Sequence, residues 1–153
     1  SPRNPFKQQA DLMDDKLRLR LVQLAIKDYP KFKACDVEFT MSRPSYTYYT
    51  LQKLRELYPQ YEFTLLMGAD NWPNLKSWYH GDDIISQYPI IVYPRPGYEL
   101  DMDNFPENVK FVDAPLLQVS STFIRNALAE GKDVRFFLHP AVYSAICSHF
   151  VSR

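Results

Sequence analysis

The chain has 153 residues, a length typical of one domain with a substantial core. It carries 18 basic and 18 acidic side chains, so its formal net charge is zero. This balance excludes a broad basic field for nucleic acid, and any recognition of phosphate must therefore be local. No apolar run approaches membrane-spanning length. From the charge balance we expect no nucleic-acid partner, and from the absence of such a run we expect no membrane partner.

The cysteines and histidines carry no metal or redox pattern. Cys35 and Cys147 are far apart in sequence and form no Cys-x-x-Cys pair, which favours a reducing, cytoplasmic setting with both thiols as packing residues. His80, His139 and His149 show no metal-ligand spacing, and none is placed for a Ser-His-acid relay. We therefore predict no metal bound by the protein itself.

Helical and strand-like patterns alternate along the chain. The predicted elements are a helix from Asp14 to before Pro30, a short strand at 33–39, a helix from Ser45 to before Pro59, a strand at 63–68 buried on both faces, short helical pieces at 70–88, strands at 89–93 and 109–112, and helices from Ser120 and after Pro140. This alternation predicts a parallel α/β sheet with flanking helices. In such sheets, ligands bind beyond the carboxyl ends of the strands.

The helix that begins at Ser120 has an unusual first turn. Acidic residues usually favour helix N-termini, but residues 120–129 contain none, and Arg125 is their only charge. The hydroxyls of Ser120, Ser121 and Thr122 join free backbone N–H groups and this guanidinium. Such a set suits an anion, phosphate above all, although an ordinary capped helix with a surface arginine has the same sequence.

Charged residues follow two of the predicted strands. Asp70 comes directly after the strand that ends at Gly68, where it could accept hydrogen bonds from a ribose or simply cap the next helix. Arg95 follows the strand at 89–93, and Lys7 lies near the start of the chain. Each of these two cations is either a phosphate contact or a solvated loop charge.

Two further segments have both a binding and a structural interpretation. The Trp78 ring, followed by Tyr79, could stack on a flat heteroaromatic ring or belong to the core. The segment Ser45, Tyr46 and Thr47 begins a helix whose N–H groups could receive a carboxylate or phosphate, or it could be only a cap.

Taken in order, these motifs resemble those of the bacterial nicotinate-nucleotide adenylyltransferase family. The matching segments run along the whole chain: Asn4-Pro5-Phe6-Lys7, Ser45-Tyr46-Thr47 with Thr50-Leu51, Gly68-Ala69-Asp70, Trp78-Tyr79, Arg95-Pro96-Gly97 and Ser120-Ser121-Thr122-Phe123-Ile124-Arg125. The resemblance implies a Rossmann-like fold of the nucleotidyltransferase type, with residues 1–153 as a single domain. It implies transfer of the adenylyl group of ATP to nicotinate mononucleotide, which gives deamido-NAD and pyrophosphate in NAD biosynthesis.

The same resemblance implies roles for individual residues. One group would bind ATP: Ser120, Ser121, Thr122 and Arg125 at the phosphates, and Asp70 at a ribose. A second group, comprising Ser45, Tyr46, Thr47, Trp78 and Tyr79, would bind nicotinate mononucleotide, with Trp78 stacked on the pyridine ring and backbone amides near Thr47 and Tyr79 at its carboxylate. Lys7 and Arg95 are further candidates for phosphate contacts, and Mg²⁺ is expected to accompany ATP.

The sequence departs from the family pattern in one respect. Members of the family begin with a strand and a Gly-x-Phe-x-Pro-x-His-x-Gly-His loop whose histidines hold the reacting phosphates, and this chain has no His-x-Gly-His. We expect the sequence to start after that segment, so the first strand and the catalytic histidines are absent from it. The alternatives are a related adenylyl- or cytidylyltransferase with another acceptor, such as phosphopantetheine, and a non-catalytic nucleotide-binding domain.

Overall fold

The computed structural model of the chain describes residues 2, 13–101, 104–116 and 118–151. The chain divides into two compact units. The first combines Ser1–Thr40 with Val119–Arg153, and the second is Met41–Gln118. Each unit contributes different candidate site residues.

The second unit contains a parallel sheet of three strands in the order β1-β2-β3. The strands are β1 (Leu65–Gly68), β2 (Ile90–Tyr93) and β3 (Val109–Phe111). In the register of β1 and β2, Gly68 lies opposite Tyr93, so these two strands end side by side. The predictions of a parallel α/β sheet and of strands in these three segments are confirmed.

Two α-helices and a 3₁₀ helix accompany this sheet. They are α2 (Thr47–Leu57), the 3₁₀ helix Trp72–Ser77 and α3 (Gly81–Gln87). The core of the unit is apolar, and its buried side chains come from strands and helices alike: Leu51, Met67, Ala69, Leu75, Ile84, Tyr88, Ile90, Val92 and Val109.

The first unit is helical in its described residues. Its α-helices are α1 (Asp15–Ile26), α4 (Ser121–Ala129) and α5 (Pro140–Val151), and 3₁₀ helices span Val37–Thr40 and Arg135–Phe137. The Asp14 carboxylate caps α1 by accepting from the backbone N–H of Leu17 at 2.9 Å. Helix α1 packs against α5.

Three local expectations were wrong. Residues 33–39 do not form a strand: residues 33–36 are irregular, and Val37–Thr40 form a 3₁₀ helix in which the N–H of Phe39 donates to the Asp36 carbonyl at 2.9 Å. Strand β1 is not buried on both faces, because the side chain of Leu66 is 64% exposed. The Cys35 thiol is exposed rather than packed.

Candidate active site

The local sequence determines how α4 presents its N-terminus. Ser120 is the N-cap, and its Oγ accepts from the backbone N–H of Phe123 at 3.1 Å. Ile124 and Ala127 are buried, 7% and 6% exposed, so they fix which face of the helix points inward. Gly131 adopts a φ of 71° just beyond the helix, a conformation that glycine tolerates and other residues rarely adopt.

The exposed face of α4 carries the remaining candidate groups for an anion. Ser121, Thr122 and Arg125 are exposed, and Arg125 Nη2 donates to Thr122 Oγ1 at 3.2 Å. Within the described ranges, no carboxylate pairs with this guanidinium. The backbone N–H groups of Ser121 and Thr122 belong to the first turn and have no acceptor within the helix. The first turn of α4 therefore carries the positive charge of Arg125 and of its unpaired N–H groups. The Ser120 hydroxyl is already engaged as the helix cap.

A cavity of about 530 Å³ within the first unit adjoins the N-terminus of α4. Ser121 and Arg125 contribute to its wall, which is otherwise mostly apolar and comes from α1, α5 and the segment before Thr40. Its second guanidinium, that of Arg18, donates to the carbonyls of Met13 and Pro2 at 3.0 and 2.8 Å. Arg18 therefore serves the local structure, and the α4 end of the cavity offers the groups suited to an anion.

Asp70 and Arg95 meet at the carboxyl ends of β1 and β2. Arg95 Nε lies 3.5 Å from Asp70 Oδ1, and both side chains are partly exposed. A Cβ on Gly68 would collide with the Asp70 carboxylate and with the aliphatic stem of Arg95, so glycine leaves the space that both side chains occupy. Asn71, not Asp70, occupies the N-cap position of the following 3₁₀ helix, and its side chain makes no capping bond. The pair presents one carboxylate and one cation at the sheet edge where ligands bind in this fold class.

The N-terminus of α2 forms a second group of polar atoms. Its N-cap residue, Tyr46, makes no side-chain capping bond, and the first backbone N–H bonded within the helix is that of Thr50. The N–H groups of Thr47, Tyr48 and Tyr49 therefore have no acceptor in the helix. Just before them, Ser45 is only 8% exposed, and its Oγ is buried with no partner among the described residues.

Aromatic contacts bring Tyr79 against this helix start. The rings of Tyr46 and Tyr79 lie 4.8 Å apart between centroids, at an angle of 36°. Trp78, the preceding residue, is half-buried and packs against the core of the second unit. The packing interpretation of Trp78 is therefore supported, and its stacking on a ligand ring stays a prediction.

Our sequence reasoning missed three residues of this neighbourhood: Tyr48, Tyr49 and His80. The Tyr49 and Tyr79 hydroxyls lie 2.8 Å apart, and this hydrogen bond raises the pKa of Tyr79 above its ordinary value. The Tyr48 and His80 rings stack at 4.4 Å. The run of tyrosines at the start of α2 was the signal available in the sequence, but their partners 30 residues away were not readable from it.

Three points remain: the position of Lys7, metal-ligating side chains and membrane-spanning helices. Lys7 lies outside the described residues. In the parts of the chain that the structure describes, no group of three or more His, Cys, Asp or Glu side chains could hold a metal ion. No helix in those parts is both long and apolar enough to cross a bilayer.

Comparison with known proteins identifies the class to which this fold and these motifs belong. Residues 1–127 match the cytidylyltransferase-like family. The nicotinic acid mononucleotide adenylyltransferase of Plasmodium falciparum, solved in complex with NaAD, has the same fold, with a TM-score of 0.74 at 21% identity over 97% of this chain and 77% of that one. The fold is that of the nucleotidyltransferases.

Two bacterial relatives narrow this class to one family. A Bacteroides fragilis protein named "Probable nicotinate-nucleotide adenylyltransferase" is 54% identical over 95% of this chain and 73% of its own length. A Bacteroides thetaiotaomicron protein of the same name is 49% identical over 95% of this chain and 72% of its own length. The chain belongs to the nicotinate-nucleotide adenylyltransferase family, as its motifs predict.

Proposed function

We propose that the protein transfers the adenylyl group of ATP to nicotinate mononucleotide, giving deamido-NAD and pyrophosphate in NAD biosynthesis. The observation that carries this proposal is the N-terminus of α2. There, N–H groups without a side-chain cap follow the buried Ser45 hydroxyl, which has no partner among the described residues, and the Tyr46 ring contacts the Tyr79 ring. A helix N-terminus with unsatisfied donors favours a carboxylate, which the acid form of the pyridine nucleotide has and its amide lacks.

In the reaction, a phosphate oxygen of nicotinate mononucleotide attacks the α-phosphorus of ATP. The new P–O bond forms as the bond to the β-phosphate breaks, and pyrophosphate leaves with that electron pair. No protein nucleophile is needed, so catalysis depends on positioning and on stabilising charge across the phosphates. Ser121, Thr122 and Arg125 are the groups we assign to the triphosphate, with Ser120 holding the turn as its cap.

The acceptor and the nucleosides are assigned to the second unit. Trp78 would stack on the pyridine ring, while Ser45, Tyr46, Thr47 and Tyr79 would surround its carboxylate. Asp70 would accept hydrogen bonds from a ribose, and the Arg95 guanidinium lies 3.5 Å from its carboxylate. Arg95 remains our candidate for a phosphate contact, as does Lys7. The proposal treats residues 1–153 as a single nucleotidyltransferase domain.

Mg²⁺ would enter with ATP. The described residues contain no cluster of carboxylates, and Asp70 is engaged with Arg95, so these side chains do not fit a dedicated metal cage. Magnesium is often held mainly by substrate phosphates and water, and the ion would neutralise charge on the triphosphate. We also propose a cytoplasmic location, which is supported by the two cysteines that form no disulfide. We propose no role for nucleic acid or for a membrane.

A substrate panel tests the proposal. Pyrophosphate release would be measured in the full-length protein with ATP and one acceptor at a time: nicotinate mononucleotide, nicotinamide mononucleotide or phosphopantetheine. We expect the acid pyridine nucleotide to be used best. Preference for phosphopantetheine would indicate a related transferase, and ATP binding without turnover on any acceptor would indicate a non-catalytic nucleotide-binding domain.

A further inference from the structure

We propose that Tyr49 is a positioning residue for the acceptor. Its hydroxyl holds the Trp78–Tyr79 segment against the start of α2 and thereby sets the preference for a pyridine nucleotide that bears a carboxylate. This inference rests on the proposed function, which places the pyridine ring and its carboxylate between these two segments. It assigns a role to a residue that none of the recognised motifs contains.

The contacts around Tyr79 define what we call the tyrosine cluster: Tyr46, Tyr48 and Tyr49 of the α2 start, with Tyr79 and His80. The Tyr79 ring lies 4.8 Å from that of Tyr46 and 5.3 Å from that of Tyr49. The Tyr49–Tyr79 hydroxyl contact, at 2.8 Å, is the polar bond in this set. It joins two segments that are 30 residues apart, and both belong to the proposed acceptor site.

The backbone next to Tyr79 is strained, which shows that these contacts hold a specific conformation. His80 has a φ of 54°, a left-handed conformation that costs a residue with a side chain roughly 1–2 kcal/mol. Its ring is held on two sides, because it stacks on Tyr48 at 4.4 Å and Nδ1 lies 2.6 Å from Asp83 Oδ2. Strain of this kind persists only where surrounding contacts determine it, and it is concentrated at ligand-binding segments.

Hydrogen-bond donors at a fixed spacing can select a carboxylate over an amide. In the proposed function, backbone N–H groups near Thr47 and Tyr79 would both donate to a carboxylate, whereas the NH₂ group of an amide would face one of them donor to donor. Selection therefore depends on keeping the two segments at a fixed separation. Tyr49 and Tyr79 are both exposed, so their bond contributes little to folding stability. Its loss should instead loosen the acceptor site.

The test is Tyr49→Phe in the full-length protein, with KM and kcat measured for ATP, nicotinate mononucleotide and its amide analogue. We expect kcat/KM for the acid acceptor to fall roughly three- to tenfold, the preference for acid over amide to narrow, and the KM for ATP to change by less than about twofold. Tyr61→Phe is the matched control, because it removes the hydroxyl of an exposed tyrosine outside the cluster and should leave all constants unchanged.

A double-mutant cycle separates positioning from a general structural effect. If the two hydroxyls act through their shared bond, Tyr49→Phe has no further effect in a Tyr79→Phe background. Additive losses, or equal changes in KM for ATP and for the acceptor, would overturn the assignment. A wild-type protein that uses no acceptor overturns the proposed function and this inference together, whereas an active wild type matched by Tyr49→Phe overturns this inference alone.

Discussion

Replacing Gly68 by alanine provides a sharp test of the Asp70–Arg95 arrangement. The added methyl group would collide most severely with Asp70 Oδ1 and also with the Arg95 stem, so the carboxylate must move. Both are partly exposed and able to shift. The change should therefore cost little folding stability while it removes the carboxylate from the position that we assign to the ribose.

The magnitudes follow from the contacts that are lost. An exposed ion pair is worth at most about 1 kcal/mol, so we expect the Tm to fall by only about 2–4 °C. Hydrogen bonds from a ribose to a charged carboxylate are worth roughly 1.5–3 kcal/mol, which corresponds to about a tenfold to hundredfold loss in kcat/KM for ATP. Stability and activity should thus respond very differently to the same methyl group.

The assay combines thermal unfolding with steady-state kinetics at varied ATP. Gly131→Ala is the control: no atom lies within 4 Å of its added methyl group, but its φ of 71° makes the backbone strained. That variant should lose stability, by roughly 1–2 kcal/mol, with no change in the KM for ATP. The assignment of Asp70 to the ribose is refuted if Gly68→Ala keeps the wild-type kcat/KM for ATP. It is also refuted if kcat/KM falls only as much as the fraction of folded protein falls.

Three further substitutions test the remaining assignments. Arg125→Ala should lower kcat/KM for ATP roughly tenfold to a thousandfold, because it removes a charge-assisted contact to the phosphates. Steady-state kinetics would check this value, and an unchanged kcat/KM would exclude Arg125 from the site. Trp78→Ala should raise the KM for the pyridine nucleotide more than that for ATP, and equal effects would assign Trp78 to the core alone. Ser45→Ala should leave the free energy of unfolding unchanged or raise it by about 1 kcal/mol, since no bond is lost in the described structure, while it raises the KM of the acid acceptor. A clear loss of stability by calorimetry would contradict the unpartnered state of Ser45.

The features that sequence reasoning predicted correctly are those with local causes. The start of α1 near Asp14 and the start of α4 at Ser120 both depend on backbone groups a few residues away. The motifs identified the family in the same way, because each is a short segment whose residue types suit one ligand. Their assignment to particular ligand atoms stays a prediction that the substitutions above address.

The errors have non-local causes. Residues 33–39 alternate like a strand, but alternation says nothing about whether a partner strand is available, and local hydrogen bonds formed a 3₁₀ turn instead. Leu66 belongs to an apolar run typical of a central strand, yet it is 64% exposed on the outer strand of the described sheet. Burial depends on what packs against a face, and a single segment does not contain that information.

The amino-acid sequence alone determined the fold class, the three strands of the described sheet and the chemical character of each candidate binding segment, because propensity, capping and motif chemistry act over a few residues. Only the tertiary structure decided which side chains meet. It placed Tyr49 against Tyr79 and Arg95 against Asp70, and it buried Ser45 without a partner. These contacts join segments that lie far apart in the chain, so they depend on how the strands and helices pack rather than on any local preference.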